Sequence, residues 1–369
     1  MKPKIALLLP KLSLYGGAER FSYNLASYLA PDFDVHFICA KKETTPPRGV
    51  NVTCLGRPPL GKAMKIFWYA MRAELFLRKQ HFDLTVGLGN TFRQDVLRLS
   101  GGPTKIFWEL SKKAYPEGFS RKFKMFRRRI SPGNRFTQAI EMIQLRNSQN
   151  LIAVSHLVRD WTIKAYPFLS KKDFQIIYNQ PDLSRFSPAK DEIKLKLRDK
   201  FSLPKDKIIV STAGTNFMLK GVAQLISSLN LLPDKFYLIV AGKRNPAYFL
   251  RLARKLNVVE RVKFMGQVKD MISFYRASDI FVLPTFYDAC SNAVLEALAT
   301  GIPVVSSQNN GSSIFLSQDL VIKDPTNHID LAEKILLASK QKRLAFTWPE
   351  NIRAGLREYK KTFLNILGA

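Results

Sequence analysis

Short apolar runs recur along this chain, each followed by a loop and then by a stretch with helical spacing. KIALLLP, DVHFICA, DLTVGLG and NLIAVSH are the first four. Between them, residues 19–29 set Phe21, Leu25 and Leu29 on one helical face, and 62–79 reads as a second helix. Such runs lack polar alternation, so both faces of each strand must be covered, the signature of a parallel sheet with helices on either side. Pro181, Pro188 and Pro204 then interrupt the pattern around a charged helix over 190–201. It resumes in KIIVSTAG, FYLIVAGK, RVKFMG, DIFVLP and IPVVSS, with helices after Lys220, Ala247, Lys269 and Asn292. The pattern predicts an α/β protein of two tandem doubly wound, Rossmann-like domains, 1–180 and 181–345, facing each other across a cleft. A last helix over 351–367 lies in a tail, 346–369, that can cross back to the first domain. In open parallel sheets ligands collect at the carboxyl ends of strands, which directs attention to the strand-to-helix loops.

The chain has 369 residues, 46% hydrophobic and 24% charged, ordinary globular values that exclude a disordered or disulfide-stapled chain. Its charge is not ordinary. Lys plus Arg number 58 against 29 acids, a net of +29, which calls for an anionic partner: membrane, phosphorylated ligand or nucleic acid. Cys39, Cys54 and Cys290 have no metal-like spacing and read as buried thiols in a reducing compartment. His36, His81, His156 and His328 make no metal constellation, and Asp32-x-Asp34 reads as turn chemistry. No metal and no cofactor is expected. The run 5–9 is too short for a secretory leader, and the longest apolar runs, 66–71 and 236–241, have six residues against the roughly 20 of a membrane span. The expectation is a cytoplasmic protein whose membrane contact is peripheral.

Three loops carry chemistry. PKLSLYGGAER ends in Gly16-Gly17 as a helix opens, where glycines admit a ligand to main-chain N–H groups that favour anions. Neither it nor Gly87-x-Gly89 completes the glycine spacing of a dinucleotide fold, which counts against a nicotinamide enzyme. AGTNFMLKG, 213–221, runs through Gly214 to Lys220 at a helix start, and a cation there suits a diphosphate. LPTFYDACSNAVLEALATGIPVVSS places Asp288 in a loop and Glu296 in the second turn of a helix over 292–300, seven residues apart. Main-chain amides from Ser291 to Val294, those of Asn292, Ala293 and Val294 among them, would meet a phosphate. An acid so close to Val294, Leu295 and Leu298 needs polar partners, such as sugar or ribose hydroxyls.

This last loop resembles the retaining glycosyltransferases of the GT-B fold, family 4 (group 1), and among them the bacterial lipopolysaccharide-core sugar transferases. The shared pattern is an acid, seven residues and Glu296, then Ala299-Thr300-Gly301 and Pro303-Val304-Val305. GGAER, AVSH, YNQPDLSRF, LKG, FMGQV and YRASDIFVLP extend the resemblance over nearly the whole chain. It implies transfer of a sugar, with retained anomeric configuration and without a metal, from a nucleoside-diphosphate-sugar to a lipid-linked saccharide such as lipopolysaccharide core. It implies that Glu296 holds the ribose hydroxyls and Asp288 the donor sugar. Lys220, with Arg185, would neutralise the leaving diphosphate, the backbone at Val268 would read the base, and Gly17 would let the diphosphate or acceptor approach. Gly214, Asn292, Ala293 and Val294 complete the donor side, and Glu19 stands on the acceptor side, as does Asp95 unless it makes a structural hydrogen bond instead. The family has Glu where this chain has Asp288, one methylene shorter, and Arg where it has Thr215. These departures bear on donor-sugar preference and on the leaving-group cations.

Residues 105–135 hold ten basic residues against two acids, with aromatics interleaved. Phe119, Phe123, Phe126 and Ile130 recur at helical spacing amid Arg121, Lys122, Lys124, Arg127, Arg128 and Arg129. The stripe reads either as a helix lying on an anionic membrane, here the inner (cytoplasmic) membrane, or as a core-facing stripe with a solvated basic exterior. Two other functions compete. A nucleic-acid binder fits the charge but lacks a recognition module, so no nucleic acid is expected as partner. A sugar-nucleotide epimerase of the same architecture would need an acid/base pair that the sequence does not offer.

Overall fold

The computed structural model describes residues 2–368, which fall into two compact units. The first takes the chain up to Trp108, Glu117–Tyr178 and the stretch from Arg353; the second takes Glu109–Pro116 and Asn179–Ile352.

The chain opens with β1 (Lys4–Leu8), β2 (Lys11–Leu12), α1 (Gly17–Leu29), β3 (Asp34–Cys39), β4 (Lys41–Lys42), β5 (Val50–Cys54), α2 (Lys62–Lys79), β6 (Leu84–Gly87) and β7 (Val96–Leu99). There follow α3 (Thr104–Lys112), α4 (Phe119–Ile130), α5 (Pro132–Asn147), β8 (Asn150–Ala153), α6 (His156–Ala165) and β9 (Phe174–Ile176). The first unit's sheet has seven strands in the order β5-β3-β1-β6-β7-β8-β9, all parallel. Its interior strand β1 explains the uninterrupted apolar run. Ile5, Leu7 and Leu9 pack with Leu25 and Leu29 of α1, while Ala6 and Leu8 face the other way, onto Tyr69 and Ala73 of α2. Each large side chain so buried contributes about 1.5–3 kcal/mol.

Cys39 is buried as expected, but Cys54 is exposed because β5 is the edge strand. The two sulfurs lie 3.7 Å apart, and burial pushes the Cys39 thiol up to about 12. Asp32 pairs with Lys360, and Asp34 accepts from His36 and Asn51.

The second unit contains α7 (Asp191–Lys200), β10 (Ile208–Ala213), α8 (Val222–Leu229), β11 (Phe236–Ala241), α9 (Ala247–Lys255) and β12 (Val262–Gly266). It continues with α10 (Met271–Ala277), β13 (Ile280–Leu283), α11 (Asn292–Ala299), β14 (Val304–Ser307), β15 (Val321–Ile322) and α12 (His328–Ser339). Its six parallel strands run β12-β11-β10-β13-β14-β15. The chain winds outward from β10 to β12, then returns to β13 on the other side of β10. The loops after β10 and β13 therefore leave the sheet side by side at a topological switch point, where such sheets bind ligands.

The final helix, α13 (Leu356–Leu367), belongs to the first unit. Tyr359 and Phe363 are buried in that unit's core, and Lys360 reaches Asp32 at 2.6 Å. Tyr178 N donates to Arg353 O at 2.9 Å and Gly355 N to Tyr178 O at 3.0 Å, so the strand of chain that leaves this unit is bonded to the one that returns.

Among the described residues no helix is long and apolar enough to cross a membrane. No residue of α4 is buried: Phe119 is 82% exposed, and Phe123, Phe126 and Ile130 are exposed with it. The fold thus leaves this stripe on the surface, not in a core.

Candidate active site

The loop after β10 is locked to the loop after β13. Thr285 Oγ1 and Phe286 N both donate to Leu219 O, at 3.1 and 2.9 Å. Gly221 makes this possible. It sits at φ +73°, and a Cβ there would lie 2.1 Å from Pro284 O, so neither the conformation nor the approach admits a side chain. The stem of Lys220 lies over Gly214, where a Cβ would stand 2.7 Å from Lys220 Cγ.

The result is an ion pair between Lys220 Nζ and Asp288 Oδ2, both side chains largely buried. Asp288 is held through its backbone as well: its N–H donates to Asn309 O, and its carbonyl accepts from Gly311 N, each at 2.9 Å. Asn310 sits behind this loop. Its Oδ1 accepts from Ser291 N and Ser312 N, and its Nδ2 donates to Ser306 Oγ.

Ser291 precedes α11, and no side-chain hydrogen bond caps the helix there. Its first-turn amides belong to Asn292, which is exposed, Ala293, half-buried, and Val294, buried. Asn179 Nδ2 donates to Asn292 Oδ1 at 2.9 Å. One turn on, Glu296 Oε2 accepts from Tyr275 OH at 2.9 Å. Tyr275 is fully buried, which pushes its hydroxyl well above the ordinary range, with Glu296 adding to the effect. It therefore remains a neutral donor throughout the working pH range.

The structure brings Lys220 and Asp288 together and places Gly214 beneath them, with Glu296 on the helix that follows. Val268 is half-buried in the loop after β12, beside the core around Phe274. Arg185 lies on an exposed turn, its amide donating to Asp182 O. The Ser184 hydroxyl, with Arg185 nearby, holds the Asp182 carboxyl below its usual range.

In the first unit, Gly16 is the member of the Gly16-Gly17 pair whose backbone excludes a side chain: φ is +105°, and a Cβ would lie 2.2 Å from Glu19 Oε2. Gly17 is exposed, and a Cβ there meets nothing within 4 Å. Asp95 is not at the ligand end of the sheet. It stands just before β7, at the strand's amino end, where its Oδ2 accepts from Thr85 N and Thr85 Oγ1 at 2.8 and 2.7 Å. That is a structural tie between β6 and β7.

Sequence reasoning missed Tyr275, Asn310 and Asn179 as supports. A tyrosine inside the apolar stretch before DIFVLP was the available signal, since a buried phenol seeks an acceptor.

Residues 193–355 match the model of the family described as glycosyl transferases group 1. Over 184 residues, 48% of each chain, the protein is 29% identical to the lipopolysaccharide glucosyltransferase WaaG of Escherichia coli K12. It is 25% identical over 189 residues to an Escherichia coli UDP-Gal:alpha-D-GlcNAc-diphosphoundecaprenol alpha-1,3-galactosyltransferase, covering 49% of this chain and 48% of that one. These matches span about half the length of the curated relatives. In fold, the crystal structure of WaaG superposes with a TM-score of 0.76 at 22% identity, covering 99% of this chain and 100% of that one. Anabaena HepE in complex with UDP-glucose superposes at 0.64 with 16% identity, over 99% of each. Residues 193–355 thus match a glycosyltransferase group 1 domain, in a chain with the fold of the GT-B glycosyltransferases.

Proposed function

We propose that the chain is a retaining glycosyltransferase that moves a sugar from a nucleoside-diphosphate-sugar to a lipid-linked saccharide. The observation that carries this is the Lys220–Asp288 pair at the β10/β13 switch point, in the loop leading to the uncapped start of α11. A diphosphate there meets a fixed cation and helix amides at Asn292, Ala293 and Val294, the groups that stabilise charge as it develops on a leaving group. Glu296, steadied by Tyr275, takes the ribose hydroxyls, and Asp288 takes hydroxyls of the donor sugar. Arg185 is the second cation, and the backbone at Val268 reads the base. Gly17 and Glu19 serve the acceptor.

The acceptor hydroxyl attacks the anomeric carbon on the face from which the diphosphate departs. The bond from that carbon to the phosphate oxygen breaks as the new C–O bond forms, and a phosphate oxygen takes the hydroxyl proton. Charge on the leaving group is carried by protein groups, so the rate is expected to be unchanged by EDTA.

The names of the two relatives, a lipopolysaccharide and a diphosphoundecaprenol transferase, favour a lipid-linked acceptor. The exposed α4 stripe, amid six basic side chains, favours peripheral docking on the anionic cytoplasmic leaflet, each such side chain adding about 1 kcal/mol at the surface. The test is incubation with UDP-, GDP- and ADP-sugars and bacterial lipid extract. Mass spectrometry should find a lipid heavier by one sugar, and NMR the donor's configuration at the new linkage. An extract that no donor alters, or an inverted centre, overturns the reading.

A further inference from the structure

The ion pair between Lys220 and Asp288 sets two donor-handling groups against each other. Their side chains are only 18% and 16% exposed. Asp288 is pinned by its backbone to Asn309 and Gly311, and the Lys220 stem is pressed over Gly214. A diphosphate that engages Lys220 therefore arrives beside a desolvated carboxylate and competes with it for one ammonium. Taking the cation from a largely buried pair costs more than the pair contributes, because the remaining charge is left without solvent or partner. A sugar nucleotide brings its own remedy. Its phosphate oxygens take the ammonium while its sugar hydroxyls donate to the carboxylate. A nucleoside diphosphate has anionic oxygens but no sugar hydroxyls at that end.

We infer that this pair is a discriminating latch, in which Asp288 holds Lys220 in place of phosphate and yields it only to a ligand carrying both diphosphate and sugar hydroxyls. The inference rests on the donor-site reading above and extends it to selection. Intact sugar nucleotide is preferred over the nucleoside diphosphate left after transfer, and re-formation of the pair helps expel that product.

Calorimetric titration tests this, with UDP, GDP and ADP and with their glucose conjugates, on the full chain and on Asp288→Asn, Lys220→Met and the double variant. Asp288→Asn is expected to bind the nucleoside diphosphate roughly tenfold more tightly or better, without a matching gain for the sugar nucleotide. That gain is expected to vanish when Lys220 is also replaced. Nucleoside diphosphate binding that is unchanged or weaker in an Asp288→Asn protein that melts like the parent overturns the latch, as does a gain that persists without Lys220. Asp288→Ser carries the same test if the asparagine variant does not fold. The two readings fail differently: a parent chain that binds none of these nucleotides overturns the donor site and the latch together. A parent chain that binds them through Lys220, with Asp288→Asn no tighter, overturns the latch alone.

Discussion

Tyr275 has lost all contact with solvent and spends its one hydroxyl on Glu296. Tyr275→Phe should keep the fold and weaken sugar-nucleotide binding a few-fold, about 1 kcal/mol, by loosening the carboxylate. Glu296→Ala should cost more, about 1.5–3 kcal/mol, because charged hydrogen bonds to the ligand are removed. Titration checks both, and an unchanged dissociation constant for Glu296→Ala would remove that residue from the site. The glycines separate stability from function. Gly221→Ala forces a Cβ to 2.1 Å from Pro284 O at a positive φ and should lower unfolding free energy by about 2–4 kcal/mol in a urea titration. Gly17→Ala meets nothing within 4 Å, so it should leave the urea midpoint alone while reducing transfer if a ligand must come close there. Two histidines set a pH dependence. Burial holds both His156 and His328 below their usual value of 6.5, for His156 with help from Arg159. The unfolded chain then binds protons that the folded one refuses, so stability present above about pH 6.5 is lost as pH falls through the lowered values. Replacing both by Gln should flatten the melting temperature between pH 7 and 5.

At the scale of elements, α4 contributes nothing to a core, and its phenylalanines should be dispensable for folding. Replacing Phe119, Phe123 and Phe126 by Ala should move stability by less than about 0.5 kcal/mol yet reduce sedimentation with anionic liposomes. Equal binding of the unaltered chain to neutral and anionic vesicles would show that the basic surround is not what docks it. Periodicity predicted this helix but left open which way the stripe turned, because apolar spacing looks the same facing lipid or core. Long, regular elements were legible: the 62–79 pattern is α2, and DVHFICA and FYLIVAGK contain β3 and β11. β7 and β9 were not: VLRL and FQI, interrupted by Arg98 and Gln175, make no apolar run of their own, and they take their partners from the sheet. For the same reason Asp95 was left with two readings, acceptor-side or structural: without β7, its end of the strand could not be told, and its bonds to Thr85 decide for the structural one.

At the scale of the whole chain, the two repeats of strand and helix announced two wound sheets, and the Lys220, Asp288 and Glu296 set was visible from spacing. The contact between Lys220 and Asp288 was not, since the side-by-side exit of β10 and β13 is a property of strand order. The role of the last segment was equally silent. Nothing in an amphipathic helix names the sheet it covers, yet Tyr359 and Phe363 complete the core that begins with Ile5. Phe363→Ala should cost about 3–5 kcal/mol, read as a lower-melting first unit with the second unit's transition unmoved.

A chain emerging from the ribosome meets this arrangement in time. The half synthesised first cannot complete its core until α13 arrives, and α13 is made after the whole of Asn179–Ile352. Until then it exposes the apolar surface that Tyr359 and Phe363 will cover, a window in which a chaperone has something to hold.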